Sequence, residues 1–85
     1  MESGAPTSLD LAGLNLRELP LETFTVQSLV SLNAGDNEMT TVPRAMENLT
    51  NLRQLRMPQN RFQAMPAPIF SMVNLTKIAL SGNQI

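Results

Sequence analysis

One interval runs through the chain. Leu9, Leu32 and Leu55 lie 23 residues apart, and Ile78 continues the series. Leu29, Leu52 and Leu75 keep that spacing, as do Asn37, Asn60 and Asn83, and Pro20, Pro43 and Pro66. Four series sharing one interval mark an internal repeat. A repeat of this length builds a stack of similar units, each burying its apolar edge against its neighbours. With 85 residues the chain holds fewer than four such units.

Each unit contains a short alternation: Leu9 and Leu11, Leu32 and Ala34, Leu55 and Met57, Ile78 and Leu80. Period two puts both members of a pair on the buried face of a strand. Stacked units then line the strands up in a parallel sheet about 4.8 Å apart. The chain must return behind the sheet to begin the next strand. Pro20, Pro43 and Pro66 fix φ and lack an N–H, which suits an irregular wall. Met46 and Leu49, and Ile69 and Met72, are three apart and predict one short helical or 3₁₀ turn with its apolar side inward. Little regular α-helix is expected.

The aligned units carry a resemblance. The second reads Leu29-Val-Ser-Leu32-Asn-Ala34-Gly-Asp-Asn37-Glu-Met39, followed by Val42-Pro43. The third reads Leu52-Arg-Gln-Leu55-Arg-Met57-Pro-Gln-Asn60-Arg-Phe62, followed by Met65-Pro66. The fourth runs from Leu75 through Ile78, Leu80 and Asn83 to Ile85. Over residues 7–85 this resembles the leucine-rich repeat family, and the 23-residue length resembles its typical, intracellular class. The resemblance implies an α/β-type solenoid, a right-handed superhelix of about 3.5 repeats. Short parallel strands would form its concave face and irregular or 3₁₀ segments its convex side. It divides the chain into a polar segment, 1–8, and a repeat domain, 9–85, with approximate units 6–28, 29–51, 52–74 and an incomplete 75–85. It also implies that Asn37, Asn60 and Asn83 form a ladder, bonding through their side chains to the backbone of neighbouring turns.

Several residues depart from the pattern. Pro6 stands where the first unit should have its leading Leu, and Leu14 stands in place of the ladder Asn. Pro58 is expected to shorten the pairing of the third strand. The last unit stops at Ile85 without a polar closing cap, which solenoids generally need, so a piece of a longer array is expected. Met39, Met46, Met57, Met65 and Met72 fall on core positions, as does Phe62, and are assigned to packing rather than to a soft binding patch. Phe24 and Phe70 share one convex position and are expected to pack between turns. Asn48-Leu-Thr50 and Asn74-Leu-Thr76 match the N-glycosylation acceptor, but Asn-Leu before a strand is part of the repeat itself, and glycosylation is not expected.

Composition narrows the function. Cys, His, Trp and Tyr are absent, which excludes thiolate and imidazole catalysis and Cys/His zinc sites. Six cations against seven carboxylates give a net charge of −1, which removes the usual case for nucleic acid or an anionic membrane as partner. No two carboxylates are spaced for acid–base work; Asp36 and Glu38 sit at a strand-to-loop bend. No catalytic residue, cofactor or metal ligand is therefore expected. The polar start Met1–Ser8 lacks the features of a signal peptide, and no apolar run approaches the ~20 residues of a membrane span; a cytoplasmic protein is expected.

The family resemblance implies a protein-interaction module that holds a partner protein on the concave sheet, inside a larger scaffold or signalling protein. The candidate contact residues are Asp10, Asn33, Asp36, Gln54, Arg56, Gln59 and Lys77. Asp10, Asn33, Arg56 and Ala79 are expected in one row across the strands, and Ser8, Ser31, Gln54 and Lys77 in a second. Gly35, Pro58 and Ser81 are placed on the same exposed face. The first two units are acidic there, through Asp10 and Asp36; the last two are basic, through Arg53, Arg56 and Lys77. Two alternatives stand beside this. The chain could be the recognition region of a larger enzyme (a kinase, GTPase or ubiquitin ligase) whose catalytic part lies elsewhere. It could also be a structural unit that self-associates through its uncovered last strand, Leu75–Leu80.

Overall fold

The alternating pairs become four strands of three residues each in the computed structural model, which describes residues 4–85. They are β1 (Ser8–Asp10), β2 (Ser31–Asn33), β3 (Gln54–Arg56) and β4 (Lys77–Ala79). All pair in parallel in chain order, β1-β2-β3-β4. The register follows the sequence interval: Leu9 stands beside Leu32, Leu32 beside Leu55, and Leu55 beside Ile78. A parallel sheet needs a crossover between successive strands, and each lap of chain supplies one, giving a leucine-rich-repeat-type solenoid 43 × 27 × 20 Å in extent. Residues 1–3 of the expected polar segment lie outside the described residues.

The return path is 3₁₀, at Leu21–Thr25, Arg44–Asn48 and Ala67–Ser71. Its bonds follow the inward residues. In the second lap Met46 N–H donates to Pro43 O, Leu49 N–H to Met46 O, and Leu52 N–H to Leu49 O. The other laps repeat this from Pro20 and from Pro66. A three-residue turn eclipses side chains at i and i+3, so the groups that close the bonds also point into the core. Proline fits the first place because only its carbonyl is used.

Leu29, Leu32, Leu49, Leu52, Leu55, Met39, Met46, Met57 and Phe62 are fully buried. The sequence misassigns the last lap. Met65 is 37% exposed and Ile85 65%, although their equivalents Val42 and Phe62 are buried. Phe24 is buried but Phe70, at the same phase, is 74% exposed. Among the described residues the last lap has no lap after it to cover its open side. Arg44–Asn48 packs against the segment carrying Phe24, whereas among the described residues no further 3₁₀ segment follows Ala67–Ser71. Ile78 is 39% exposed for the same reason.

The ladder is present, and it has a direction. Asn60 Nδ2 donates to Ala34 O of the lap before it, and Asn60 Oδ1 accepts from Met39 N–H of that lap. Asn37 reaches back to Leu11 O, Leu14 N–H and Leu16 N–H. Asn83 reaches back to Met57 O and Phe62 N–H. Leu14 therefore forfeits no bond: no described lap precedes it. A second row, at 28, 51 and 74, stitches the opposite rim. Ser28 Oγ donates to Pro6 O, Asn51 Nδ2 to Gln27 O (2.8 Å) and Asn74 Nδ2 to Thr50 O (2.7 Å). The amide nitrogen of the Asn74 sequon is thus already committed to the lap before it.

Candidate functional site: the concave sheet face

The outward residues of the strands form two rows. Asp10, Asn33, Arg56 and Ala79 are register partners across the sheet, and Ser8, Ser31, Gln54 and Lys77 form the parallel row. Asp10, Arg56 and Lys77 are exposed; Asn33 and Gln54 are half-buried. Ser8 and Ser31 are register neighbours, with no imidazole or thiol in the chain to activate their hydroxyls. Among the described residues no His/Cys/Asp/Glu group could hold a metal ion. What the face offers is shape, hydrogen bonds and charge.

The first row is not chemically uniform. Asp10 Oδ1 accepts from Ala12 N–H at 3.0 Å, and Asn33 Oδ1 accepts from Gly35 N–H at 3.1 Å. Short polar side chains commonly bond the backbone two residues on in this way. Both residues therefore serve their own strand ends. In the third lap Arg56 has no acceptor to offer, and Pro58 has no N–H that needs one. The Arg–Pro pair thus dispenses with the local bond, and the exposed guanidinium is tied only loosely, Nη2 donating to Gln54 Oε1 at 3.3 Å.

Pro58 does not shorten β3, contrary to the sequence expectation. Between laps two and three the bonds run from Ala34 N–H to Arg56 O and from Asp36 N–H to Pro58 O; Met57 and Gln59 then donate to Ala79 O and Ser81 O. Alternate N–H groups carry the pairing, and position 58 is not one of them. The ring instead covers Gly35, which is buried rather than exposed as its phase suggested. A Cβ on Gly35 would lie 2.9 Å from Pro58 Cδ, so only glycine lets the ring sit there.

Asp36 and Gln59 prove to have a backbone role that the sequence reading did not assign. They are exposed and left-handed, with φ of 53° and 54°. Gly13 (70°) and Gly82 (73°) occupy the same phase in the outer laps. The chain turns there, one residue before the ladder position, to leave the sheet. The signal was legible: glycine recurs at that phase in laps one and four. Asp tolerates the left-handed region better than Gln does. Gln59→Gly should accordingly raise stability by about 0.5–1 kcal/mol, read by urea denaturation. An unchanged or lower midpoint would mean that the Gln59 side chain, which lies over Gly82, contributes more than the backbone conformation costs.

The flank of the ladder carries weak ion pairs. Glu38 Oε1 lies 4.0 Å from both Arg17 and Arg61 of the adjoining laps, and Arg44 pairs with Glu47 at 3.9 Å. The arginines are mostly exposed, so these add little to stability.

A family model described as leucine rich repeat matches residues 7–62. The chain belongs to the leucine-rich repeat family, whose repeats generally mediate protein–protein interaction. It is similar to the flightless-1 homolog of Caenorhabditis elegans, with 29% identity over 70 residues, covering 82% of this chain and 5% of that protein. It is also similar to the structure of a leucine-rich repeat protein of Leptospira interrogans, at 36% identity and a TM-score of 0.86, covering 92% of this chain and 20% of that one. The chain thus spans a small share of either relative. Among its described residues no helix is long and apolar enough to cross a membrane.

Proposed function

We propose that this chain is a protein-binding module that seats a partner on the concave sheet, within a larger scaffold or signalling protein of the cytoplasm. The observation that carries this is Arg56. It stands mid-row, exposed, between Asn33 and Ala79, and the fold makes little use of its side chain. Asp10 and Asn33 owe part of their identity to their own backbone; Arg56 does not. A face built on a rigid stack loses little ordering entropy when it binds. Gln54 and Lys77 extend the contact along the second row, and Asp36 and Gln59 border it. Support for a larger setting comes from the relatives, which are many times longer than the matched region. The same observation keeps a second reading in view, in which a catalytic part lies elsewhere and this module recruits its substrate protein.

A photo-crosslinking residue at position 79, on the concave face, is expected to capture protein partners in cells, and one at position 70, on the convex side, is not. Arg56→Glu should reduce the capture from position 79 several-fold and leave the melting temperature unchanged. Capture from position 70 alone, or equal loss of binding and stability in Arg56→Glu, rejects the concave site.

A further inference from the structure

Charge is segregated along the stack. All seven carboxylates lie at or before Glu47, and four of the six cations lie after it. Among the described residues the ion pairs use Arg17, Arg44 and Arg61. Arg61, the one cation of the second half that is paired, takes its carboxylate from the lap before it. Arg53, Arg56 and Lys77 stand in no ion pair, and residues 48–85 contain no carboxylate that could reach them. Unmatched positive charge therefore gathers on and beside β3 and β4, with the small side chain of Ala79 opposite Arg56 leaving room above the sheet.

We propose that the concave face over β3 and β4 takes an extended acidic segment of a partner protein, with one carboxylate on Arg56 and another on Lys77. This rests on the concave-face function proposed above and adds the chemistry of its partner. Arg56 and Lys77 are diagonal neighbours on adjacent parallel strands. Strand spacing and rise put their Cα atoms about 8 Å apart. Alternate side chains of an extended peptide recur about every 7 Å, so two acids separated by one residue match the pair. Arg56 offers a planar fork suited to bidentate carboxylate binding, and Lys77 a point charge that adapts to the second. The acidic first half repels such a segment and sets where it lies.

The test uses the 85-residue chain and N-acetylated, C-amidated hexaglutamate, with hexalysine as control, followed by amide chemical shifts. Hexaglutamate is expected to shift the amides of residues 54–56 and 77–79 and to weaken as salt is added; hexalysine is not expected to shift them. Arg56→Glu/Lys77→Glu should weaken hexaglutamate binding by about tenfold or more. Arg17→Glu/Arg44→Glu, the same change of charge away from the face, should leave it within about twofold. Equal weakening by both double variants overturns the proposal, as does tighter binding of oligothymidylate or phosphatidylserine vesicles to the same residues. Should hexaglutamate fail to shift these amides while position 79 still captures partners, the acidic chemistry falls and the concave site stands. Should capture move to position 70, both fall.

Discussion

Asn60→Ala should lower the free energy of unfolding by about 1–3 kcal/mol, a large effect for a polar substitution. Asn60 is buried, at 6% exposure. Its Nδ2 donates to Ala34 O at 2.9 Å, Pro58 O at 3.2 Å and Met57 O at 3.3 Å, and its Oδ1 accepts from Met39 N–H at 3.0 Å. Met39 is itself fully buried, so deleting the amide leaves its N–H unpaired where water does not reach, whereas Ala34 O keeps the bond from Asn37 Nδ2 at 3.1 Å. A buried group left in this way costs about 1–3 kcal/mol. Asn83 makes the matching bonds to Met57 O and Phe62 N–H but is only half-buried, so water replaces part of what Asn83→Ala removes and its loss should be about half as large. Urea unfolding of the two variants side by side is decisive. Equal losses would mean that the ladder acts through something other than burial of its backbone partners.

Leu55→Ala should cost about 2–5 kcal/mol. Leu55 is fully buried, with Leu32 on one side of it in the sheet and Ile78 on the other. Both laps are pinned by their own backbone bonds, so the site cannot collapse onto the space left behind. Ile78→Ala removes a comparable side chain from the edge of the same row, where it is already 39% exposed, and should cost about 1 kcal/mol. A domain of this length has a total stability on the order of 4–13 kcal/mol, so Leu55→Ala alone can unfold most of the population at 37 °C. Circular dichroism melts check the order of the two variants. A loss for Ile78→Ala as large as that for Leu55→Ala would place the centre of the core somewhere other than the middle laps.

Much of this architecture was legible because its cause is the period itself. A fixed interval of 23 residues dictates which residues meet across strands, so the two concave rows and the asparagine positions follow by counting. Period does not say whether a neighbour exists. Met65, Phe70 and Ile85 have inward phases, yet they stand exposed because nothing among the described residues covers the last lap. Nor does it say how large the covering group is: Gly35 is buried by the ring of Pro58, one lap away. The harmlessness of Pro58 depends on which alternate N–H groups carry the pairing, a matter of one residue's phase. The second row at Ser28, Asn51 and Asn74 keeps the interval as faithfully as the first, but its last member reads as a glycosylation acceptor until Thr50 O is seen beside it. At the candidate site, the charges and their order along the stack were readable. The distinction between Asp10 and Asn33, which bond their own backbone, and Arg56, which does not, required the strand ends to be placed.

The backward reach of the asparagines bears on how such a chain grows. From the second repeat on, each carries the amide that fastens it to its predecessor, and for this bond the receiving repeat supplies only bare peptide groups, which every residue has. A duplicated internal repeat would therefore arrive with its fastening included and leave the bonds of older repeats in kind as they were. Lengthening by whole repeats is then a small step for the gene, and the span of surface offered to partners can change without any redesign of the interior.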